Sequence, residues 1–425
     1  MKIAESRPLR AIFNLAEARP AAWPFYLAAI FFLMLAALGM LDHAELIDEP
    51  FYIPLASEYA QSGYLKPIQG SMKAVSTIGP SYYISLKLWM EIAGREIEPF
   101  RLFSTFCMIA AAGIWFLIGR RMGIKSSGVH MLTLLVMPHL AITSFCVMAE
   151  TYTLVNILLF LYCWLIANDA LSSGRLTKAR NIFLLSGLPL AMAANAKPPC
   201  IVYAAAFAII GLVRVKNVWA IAGPVLAIVL QMPFWVMWGS IFPPAALALS
   251  DQSRQAIAYP DTAVHLISIA GLMLWPALKW KWNRFTAFQL ITGVIVWIIF
   301  EPDLRPNGPV FYRFLGPLMQ AYALIPALKW LYLIAFLAAW KLLWDLAVEM
   351  LCNRLEITQQ ALLAGVFLFL GGIMKSPLAF DRYAAFFLPY LYLVVAGTLE
   401  KRAWPRTIAL SGWVVLTALM IGRML

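Results

Sequence analysis

The chain has 425 residues, of which 62% are hydrophobic and 13% are charged, and its mean hydropathy is +0.78. Soluble domains carry about a quarter charged residues, so this composition excludes an ordinary water-soluble protein. The formal net charge is +12. Most basic residues lie in short segments between apolar runs, as in the cytoplasmic loops of membrane proteins, which argues against nucleic acid as a partner.

Apolar runs along the chain are long enough to cross a bilayer as helices, which takes about 20 residues at 1.5 Å rise each. We expect an all-α polytopic membrane protein with about 13 transmembrane helices, in which residues 1–425 form one membrane domain without a separate soluble domain. The basic amino terminus precedes an apolar run that lacks a small-residue cleavage site, so we interpret this run as a retained span. The predicted spans are 22–41, 100–118, 127–147, 151–168, 181–195, 199–213, 217–238, 263–278, 285–300, 330–348, 360–374, 380–398 and 407–423.

Basic clusters occupy alternate gaps between the predicted spans, which predicts that the amino terminus and these gaps are cytoplasmic. Polar residues on the other side concentrate in a first external loop over 42–99 and in further external loops over 239–262 and 301–329. The loop over 301–329 is interpreted as a re-entrant or surface segment. We therefore expect any chemistry to be carried out by these loops and by the span ends that face them.

Two sets of carboxylates are candidates for this chemistry. Asp48 and Glu49 are adjacent and follow the first span; a solvated loop with helix-capping acids explains such a pair as well as a functional role does. Glu150 interrupts an otherwise apolar stretch, either at a tight turn or within the membrane. An ionisable group at mid-depth costs at least ~2.5 kcal/mol, so Glu150 is a functional candidate, with a plain turn acid as the alternative.

Cations are predicted on the same external side. Lys197 lies in AMAANAKPPCIVY, where the paired prolines should break a helix and hold the lysine near the interface. The alternative is a lysine that snorkels to the lipid headgroups. Arg382 opens a late span near the same face, and Arg313 is placed with it. Carboxylates and cations that converge on one face suit an anionic, lipid-linked substrate.

A series of motifs resembles the polytopic GT-C superfamily of glycosyltransferases, especially the bacterial branch of lipid A aminoarabinose transferases and protein mannosyltransferases. The resemblance runs from about residue 20 to 400 in the order expected of that superfamily. In chain order the landmarks are the acidic pair and aromatic of Asp48-Glu49-Pro50-Phe51-Tyr52, the YLKP element of Gly63 to Pro67, the aromatic stretch of Pro80 to Tyr83, the GREIEPFRLFS element with Arg101, the turn acid Glu150, the NAKPP lysine Lys197 and the DRYAAFFLPY element.

Membership of this superfamily implies a glycosyltransferase that takes a sugar from a polyprenyl-phosphate donor such as an undecaprenyl phosphate. The resemblance implies transfer on the non-cytoplasmic face, usually with inversion at the anomeric carbon. It further implies a multi-pass protein of the bacterial inner membrane, with its active site facing the periplasm or exterior. The acceptor would be lipopolysaccharide or lipid A, another envelope glycan, or a protein.

By the same resemblance, the catalytic residues are Asp48 as general base, Glu49 to position the acceptor or a divalent ion, and Glu150 as a second acid. Lys197 and Arg382 would hold the lipid phosphate through charge-assisted hydrogen bonds. Further phosphate-binding candidates are Lys73 and Arg313, and the substrate-binding candidates are Tyr52, Tyr82, Tyr83 and Tyr383.

A strong acid is not required by this chemistry, because a phosphate leaving group departs well at neutral pH, and a divalent metal ion is left open. Some members of the superfamily use a divalent metal ion, for which Asp48, Glu49 and His43 would supply ligands, although their spacing is not diagnostic.

The chain departs from the aminoarabinose transferases in its first loop. Where those enzymes carry a Glu-Lys-Pro element, this sequence reads Ser76-Thr77-Ile78-Gly79-Pro80, and the nearest lysine is Lys73. Phosphate binding would then fall to Lys73 or to Lys197. The donor sugar and the acceptor are left open by the sequence.

Two other functions fit a polytopic chain of this kind. A lipid-linked sugar flippase or transporter would also carry intramembrane charges, but transporters often show inverted repeats, and none is evident here. A noncatalytic assembly subunit would tolerate replacement of the acids. The concentration of charge on the external face favours the enzyme.

Overall fold

The computed structural model describes residues 49–62, 78–94, 96–124, 131, 133–241, 243, 259–279, 283–300, 325–374, 381–401, 413 and 417. Within these ranges the regular structure is helical and contains no β-strand, which confirms the predicted all-α class. Four candidate residues lie outside the described residues, together with most of the predicted first and last spans: His43, Asp48, Lys73 and Arg313.

The helices follow one another with short connections over much of the chain. In chain order they are α1 Glu49–Ser62, α2 Pro80–Ala93, α3 Ile97–Arg121, α4 Pro138–Thr143, α5 Ala149–Ser172, α6 Leu176–Ala196, α7 Ile201–Ile210, α8 Trp219–Trp238, α9 Pro260–Leu274, α10 Arg284–Ile299, α11 Ile325–Leu351, α12 Ile357–Ile373 and α13 Leu388–Glu400. Short 3₁₀ helices cover Pro198–Cys200, Trp275–Ala277 and Asp381–Phe386, and a π turn, Gly211–Val215, extends α7.

Five helical segments in the described part of the chain are long and apolar enough to cross a membrane: Ile97–Arg121, Ala149–Ser172, Pro198–Val215, Trp219–Trp238 and Lys329–Leu351. Three shorter apolar helices are α10, α12 and α13. The chain is therefore a membrane protein with at least these candidate spans. The larger number of spans expected from the sequence stays a prediction.

Two features of the chain differ from the sequence expectations. The first external loop contains two helices, α1 and α2, which are not among the predicted spans. The predicted span 127–147 is not one continuous helix, because the chain leaves the helix at Val136 and Met137 before α4 begins. Pro138 explains the break: it lacks an N–H group and disfavours a helical conformation at the residue before it.

Contacts between helices show that the bundle has two chemically different ends. Arg121 near the end of α3 pairs with Asp169 near the end of α5, so these helices run in the same direction. The Arg180 guanidinium near the start of α6 lies 5.5 Å from the ring centre of Trp219 at the start of α8. These contacts define a basic end. The opposite end is the one at which α5 begins and α6 ends.

The centre of the bundle is built by close helix packing, with α5 against both α3 and α6, and α6 against α8. Gly187 on α6 and Gly223 on α8 meet without side chains, and a Cβ added at Gly187 would lie 2.5 Å from the Gly223 carbonyl oxygen. Small residues allow membrane helices to approach in this way.

The outer surface of the bundle is apolar, as a lipid-facing surface must be. On α8 the side chain of Val236 is 81% exposed, and on α10 that of Ile298 is 71% exposed. Such side chains lie on faces that no other described helix covers. They would be unfavourable in water and are suited to the acyl chains of a bilayer.

Candidate functional site

Glu150 lies in the first turn of α5 and exposes none of its surface. Met148 precedes the helix in an extended conformation, so the chain enters the helix directly at Ala149 and Glu150. The amino-terminal end of a helix carries a partial positive charge, which stabilises a carboxylate in the first turn. The fold thus holds an acid inside the protein, and a solvated turn acid is excluded.

Lys197 is the residue at which α6 ends. Its backbone N–H still donates to the Ala193 carbonyl oxygen, but Pro198 and Pro199 follow in a 3₁₀ turn and cannot continue the α-helical pattern. The backbone of Lys197 is therefore fixed between two rigid segments, and the residue is only 8% exposed.

The two charges meet: Lys197 Nζ lies 3.1 Å from Glu150 Oε1. On another side the ammonium lies 5.7 Å from the ring centre of Phe386, within the range of a cation–π interaction. A snorkelling lysine would extend to the headgroups, whereas this one is directed to a buried carboxylate. The ion pair joins α5 to the end of α6.

The first external segment docks onto the same place. The Gly79 N–H donates to the Ala196 carbonyl oxygen at 3.2 Å, and the Ser81 N–H donates to Asn195 Oδ1 at 2.7 Å. The Asn195 amide donates in turn to Gln231 Oε1 on α8 at 3.3 Å. The start of α2 and the end of α6 are thus held together directly beside Lys197.

Tyrosines of the first segment form an aromatic cluster with α5. The Tyr82 ring lies 6.2 Å from Tyr52, 5.9 Å from Tyr83 and 5.7 Å from Tyr152, measured between centroids. Tyr82 and Tyr83 expose no surface, and their predicted role in binding substrate stays a prediction. Burial raises the pKa of Tyr82 well above its ordinary value, and the nearby charge of Glu150 adds to the rise.

The late DRYAAFFLPY element reaches the site from the other end of the chain. The Tyr203 hydroxyl donates to the Phe386 carbonyl oxygen at 2.6 Å, and its ring packs against Tyr390 at 4.8 Å. Phe386 ends the 3₁₀ helix that contains Arg382. Tyr383 is half-buried, and its ring lies 6.5 Å from that of Phe386.

The structure thus brings together several residues predicted from the sequence. Glu150 and Lys197 pair directly, the aromatic cluster with Tyr52, Tyr82 and Tyr83 adjoins α5, and the segment of Arg382 and Tyr383 closes the site through Phe386. Glu49 is the first residue of α1, one helical turn before Tyr52. The side chains of Glu49 and Arg382 lie outside the described residues, so their predicted roles stay predictions.

Sequence reasoning missed three residues of this arrangement, Asn195, Gln231 and Phe386. Asn195 and Gln231 are buried amides in apolar helices, and such amides signal an interhelical contact that could have been predicted. No sequence feature marks Phe386 as a site residue, because aromatic residues are common in apolar segments. Arg101, a landmark of the resemblance, is fully buried in the first turns of α3.

No group of three or more His, Cys, Asp or Glu side chains that could hold a metal ion occurs among the described residues. The residues predicted as metal ligands, Asp48, Glu49 and His43, do not have described side chains. A metal at this position stays a prediction from the resemblance.

Comparison of the chain with protein-family models, with curated proteins and with solved structures finds no match. The function is therefore inferred from the sequence resemblance and from the geometry of the site.

Proposed function

We propose that this protein is a GT-C-type glycosyltransferase that moves a sugar from a polyprenyl-phosphate donor to an envelope acceptor. The observation that carries the proposal is the convergence of four landmarks of the resemblance at one end of the bundle. The segment Pro80–Tyr83, Glu150, Lys197 and the DRYAAFFLPY element are far apart in the sequence, yet they share direct contacts around one buried cation. An arrangement of this kind suits the recognition of a phosphate.

The proposed topology has about 13 spans in the bacterial inner membrane, with the site on the periplasmic side. It is supported by the position of the basic residues, because Arg121 and Arg180 lie at the end of the bundle opposite to Lys197. Loops rich in Lys and Arg stay in the cytoplasm. The end that contains Lys197 then faces the periplasm, where a polyprenyl-linked sugar would be used.

In the proposed reaction Asp48 takes the proton of the acceptor group, whose oxygen or nitrogen attacks the anomeric carbon of the sugar with inversion. The bond between that carbon and the phosphate oxygen breaks, and its electron pair leaves with the polyprenyl phosphate. Lys197, together with Arg382, neutralises the charge that develops on the departing phosphate. Glu49 positions the acceptor. Lipopolysaccharide or lipid A, another glycan and a protein are the acceptor classes.

The test is mass spectrometry of envelope lipids, glycans and lipid-linked sugars from cells with and without this chain. We expect one sugar to disappear from an acceptor and its polyprenyl donor to accumulate in the deletion strain. Wild type should restore the product and Asp48→Asn should not, although the variant is expressed at the normal level. Asp169→Asn, which removes an exposed acid at the basic end of the bundle, is the control and should restore the product fully.

Other outcomes would point elsewhere. Full restoration by Asp48→Asn would remove Asp48 from catalysis and favour the noncatalytic assembly subunit. If the protein is instead a flippase, its deletion would trap the donor on the cytoplasmic leaflet. A membrane-impermeant reagent that labels only the outer leaflet of intact spheroplasts distinguishes this outcome. No change in any sugar on deletion would contradict the proposed function.

A further inference from the structure

We propose that Glu150 is a positioning residue, which holds the Lys197 ammonium in place as its counter-ion and does not itself act on the sugar or the acceptor. This inference rests on the proposed function and changes the role that the resemblance implies for Glu150, that of a second acid. It follows from the contact between the two side chains and from their unequal exposure.

The geometry separates the two members of the pair. Lys197 Nζ lies 3.1 Å from Glu150 Oε1, and the Lys197 side chain keeps 10% exposure while that of Glu150 has 0%. A group that exchanges a proton with an incoming acceptor must come within hydrogen-bonding distance of it. The Lys197 side chain therefore keeps a small exposed surface for a ligand to contact, whereas the Glu150 side chain keeps none.

The fold makes Glu150 a rigid partner for this lysine. The carboxylate is fixed in the first turn of α5, where the helix dipole favours its charge. Lys197 is fixed between the end of α6 and two prolines, and the Phe386 ring lies against its ammonium. Without the carboxylate, a buried ammonium would lose its charge or leave the site, because an uncompensated buried charge is strongly unfavourable.

The net charge of the Glu150–Lys197 pair bears on how a donor phosphodiester would be held. Glu150 and Lys197 together carry no net charge, so the negative charge of a donor phosphodiester needs a second cation. Arg382 belongs to the 3₁₀ helix Asp381–Phe386, which ends at the ring that touches Lys197. We therefore infer that Lys197, oriented by Glu150, contacts the phosphate and that Arg382 supplies the second positive charge.

The experiment uses the full-length protein in lipid nanodiscs and measures three quantities for each variant: affinity for a polyprenyl phosphate, kcat and KM for sugar transfer, and the midpoint of thermal unfolding. Glu150→Gln should weaken polyprenyl phosphate binding and raise KM for the donor by about tenfold, because the ion pair that orients the Lys197 ammonium is lost. It should lower kcat as well, because a displaced ammonium neutralises less of the charge on the departing phosphate. Glu150→Asp keeps the charge and should recover part of the affinity.

A double variant separates positioning from stability. Glu150→Gln alone leaves Lys197 without its carboxylate and should lower the unfolding midpoint. Adding Lys197→Met removes that charge and should bring the midpoint back toward wild type, while binding of polyprenyl phosphate stays lost. Asp169→Asn breaks the exposed ion pair with Arg121 at the basic end, and it should leave donor affinity unchanged.

Three results would overturn the inference. If Glu150→Gln lowers kcat at unchanged KM and unchanged affinity, Glu150 acts on the reacting groups. If folded Glu150→Gln binds and turns over the donor as wild type does, or if it loses only thermal stability, Glu150 does not position Lys197 for the ligand. Failure of the wild-type protein itself to bind a polyprenyl phosphate would instead overturn the proposed function. The wild-type sample alone shows this failure, so it is distinguished from a failure of the inference, which the variants show.

Discussion

Gly79 is the residue at which the first external segment touches the end of α6, and a side chain has no room there. A Cβ at this position would lie 1.8 Å from the Asn195 carbonyl oxygen, a backbone atom that cannot move aside without moving Lys197. The backbone of Gly79 is not in the left-handed region, so its requirement is one of space alone.

Gly79→Ala should therefore lower both stability and the proposed sugar transfer. We expect a loss of about 1–3 kcal/mol, the usual cost of inserting atoms into a packed region, together with weaker donor binding because α6 is displaced beside Lys197. The measurements are thermal unfolding in detergent and transfer activity per folded molecule.

The matched control is Gly113→Ala on α3, where an added Cβ meets nothing within 4 Å. Alanine is the better helix former by about 0.5–1 kcal/mol, so this variant should be neutral or more stable. Equal behaviour of the two variants would mean that the contact between Gly79 and Asn195 does not position the site.

At the scale of single residues, the sequence identifies the charged members of the site but not their partners. Glu150 and Lys197 stand out because ionisable groups are rare in apolar segments. Their pairing depends on how α5 and α6 pack, which no local pattern specifies. The sequence also allows Glu150 to be a solvated turn acid and Lys197 to contact the headgroups. Glu150 is 0% exposed and Lys197 is 8% exposed, which decides against both alternatives.

At the scale of helices, α10 and α11 are joined by a second polar cluster, which lies outside the candidate site. Lys341 Nζ lies 2.6 Å from Asp345 Oδ2, and the Gln289 amide donates to Asp345 Oδ1 at 2.9 Å. Lys341 is only 3% exposed. Asp345 is therefore the acceptor that links a buried lysine of α11 to a buried amide of α10.

Asp345→Leu should destabilise the protein, because it removes the carboxylate from a buried lysine. We expect a loss of about 2 kcal/mol, less than the cost of breaking a fully buried pair, since the Asp345 side chain is 29% exposed. Thermal unfolding measures this loss, and adding Lys341→Leu should recover most of it.

Glu349→Gln provides the comparison on the same helix. Glu349 lies 3.2 Å from Lys279, which is 55% exposed, and exposed ion pairs contribute about 0–1 kcal/mol. If Glu349→Gln destabilises as strongly as Asp345→Leu, burial of Lys341 is not the reason for the effect.

Helices in apolar runs were predictable, because length and hydropathy are enough to identify a span. The helices α1 and α2 were not, since polar and apolar residues are mixed in this segment, as they are in loops. The break before α4 had a signal in Pro138, but proline also occurs inside membrane helices, as Pro224 and Pro233 do in α8. Neighbouring helices decide whether such a proline ends a helix.

At the scale of the whole molecule, the position of the basic residues predicts how the protein is oriented in the membrane. In a background without the native cysteines, Arg175→Cys places a thiol at the exposed turn before α6, and Glu91→Cys places one near the end of α2. A membrane-impermeant maleimide added to spheroplasts should label Glu91→Cys, while Arg175→Cys should react only after the membrane is made permeable.

The reverse labelling pattern would place the site in the cytoplasm and would contradict transfer on the periplasmic side. Labelling of both thiols in intact spheroplasts would contradict the two-ended arrangement of α2 and α6.

The membrane class could be predicted from composition and the asymmetry of charge from the positions of the basic residues, because both are sums over many residues. The number of spans could not be settled in the same way. Segments such as 127–147 and 263–278 are apolar enough to count as spans by sequence, whereas in the structure the first is interrupted and the second begins as the 15-residue helix α9 and ends in a 3₁₀ turn.

The hydrogen bond from Tyr203 to the Phe386 carbonyl joins residues 183 positions apart in the sequence. This separation along the chain has a consequence for the order in which the site is assembled during synthesis. Glu150 and Lys197 leave the ribosome as parts of one helical hairpin, so they can meet early in insertion. Phe386 is synthesised only after most of the remaining helices have entered the membrane. A partly translated chain thus carries the lysine without the element that completes its surroundings, and a truncated product would occupy the bilayer with an incomplete site.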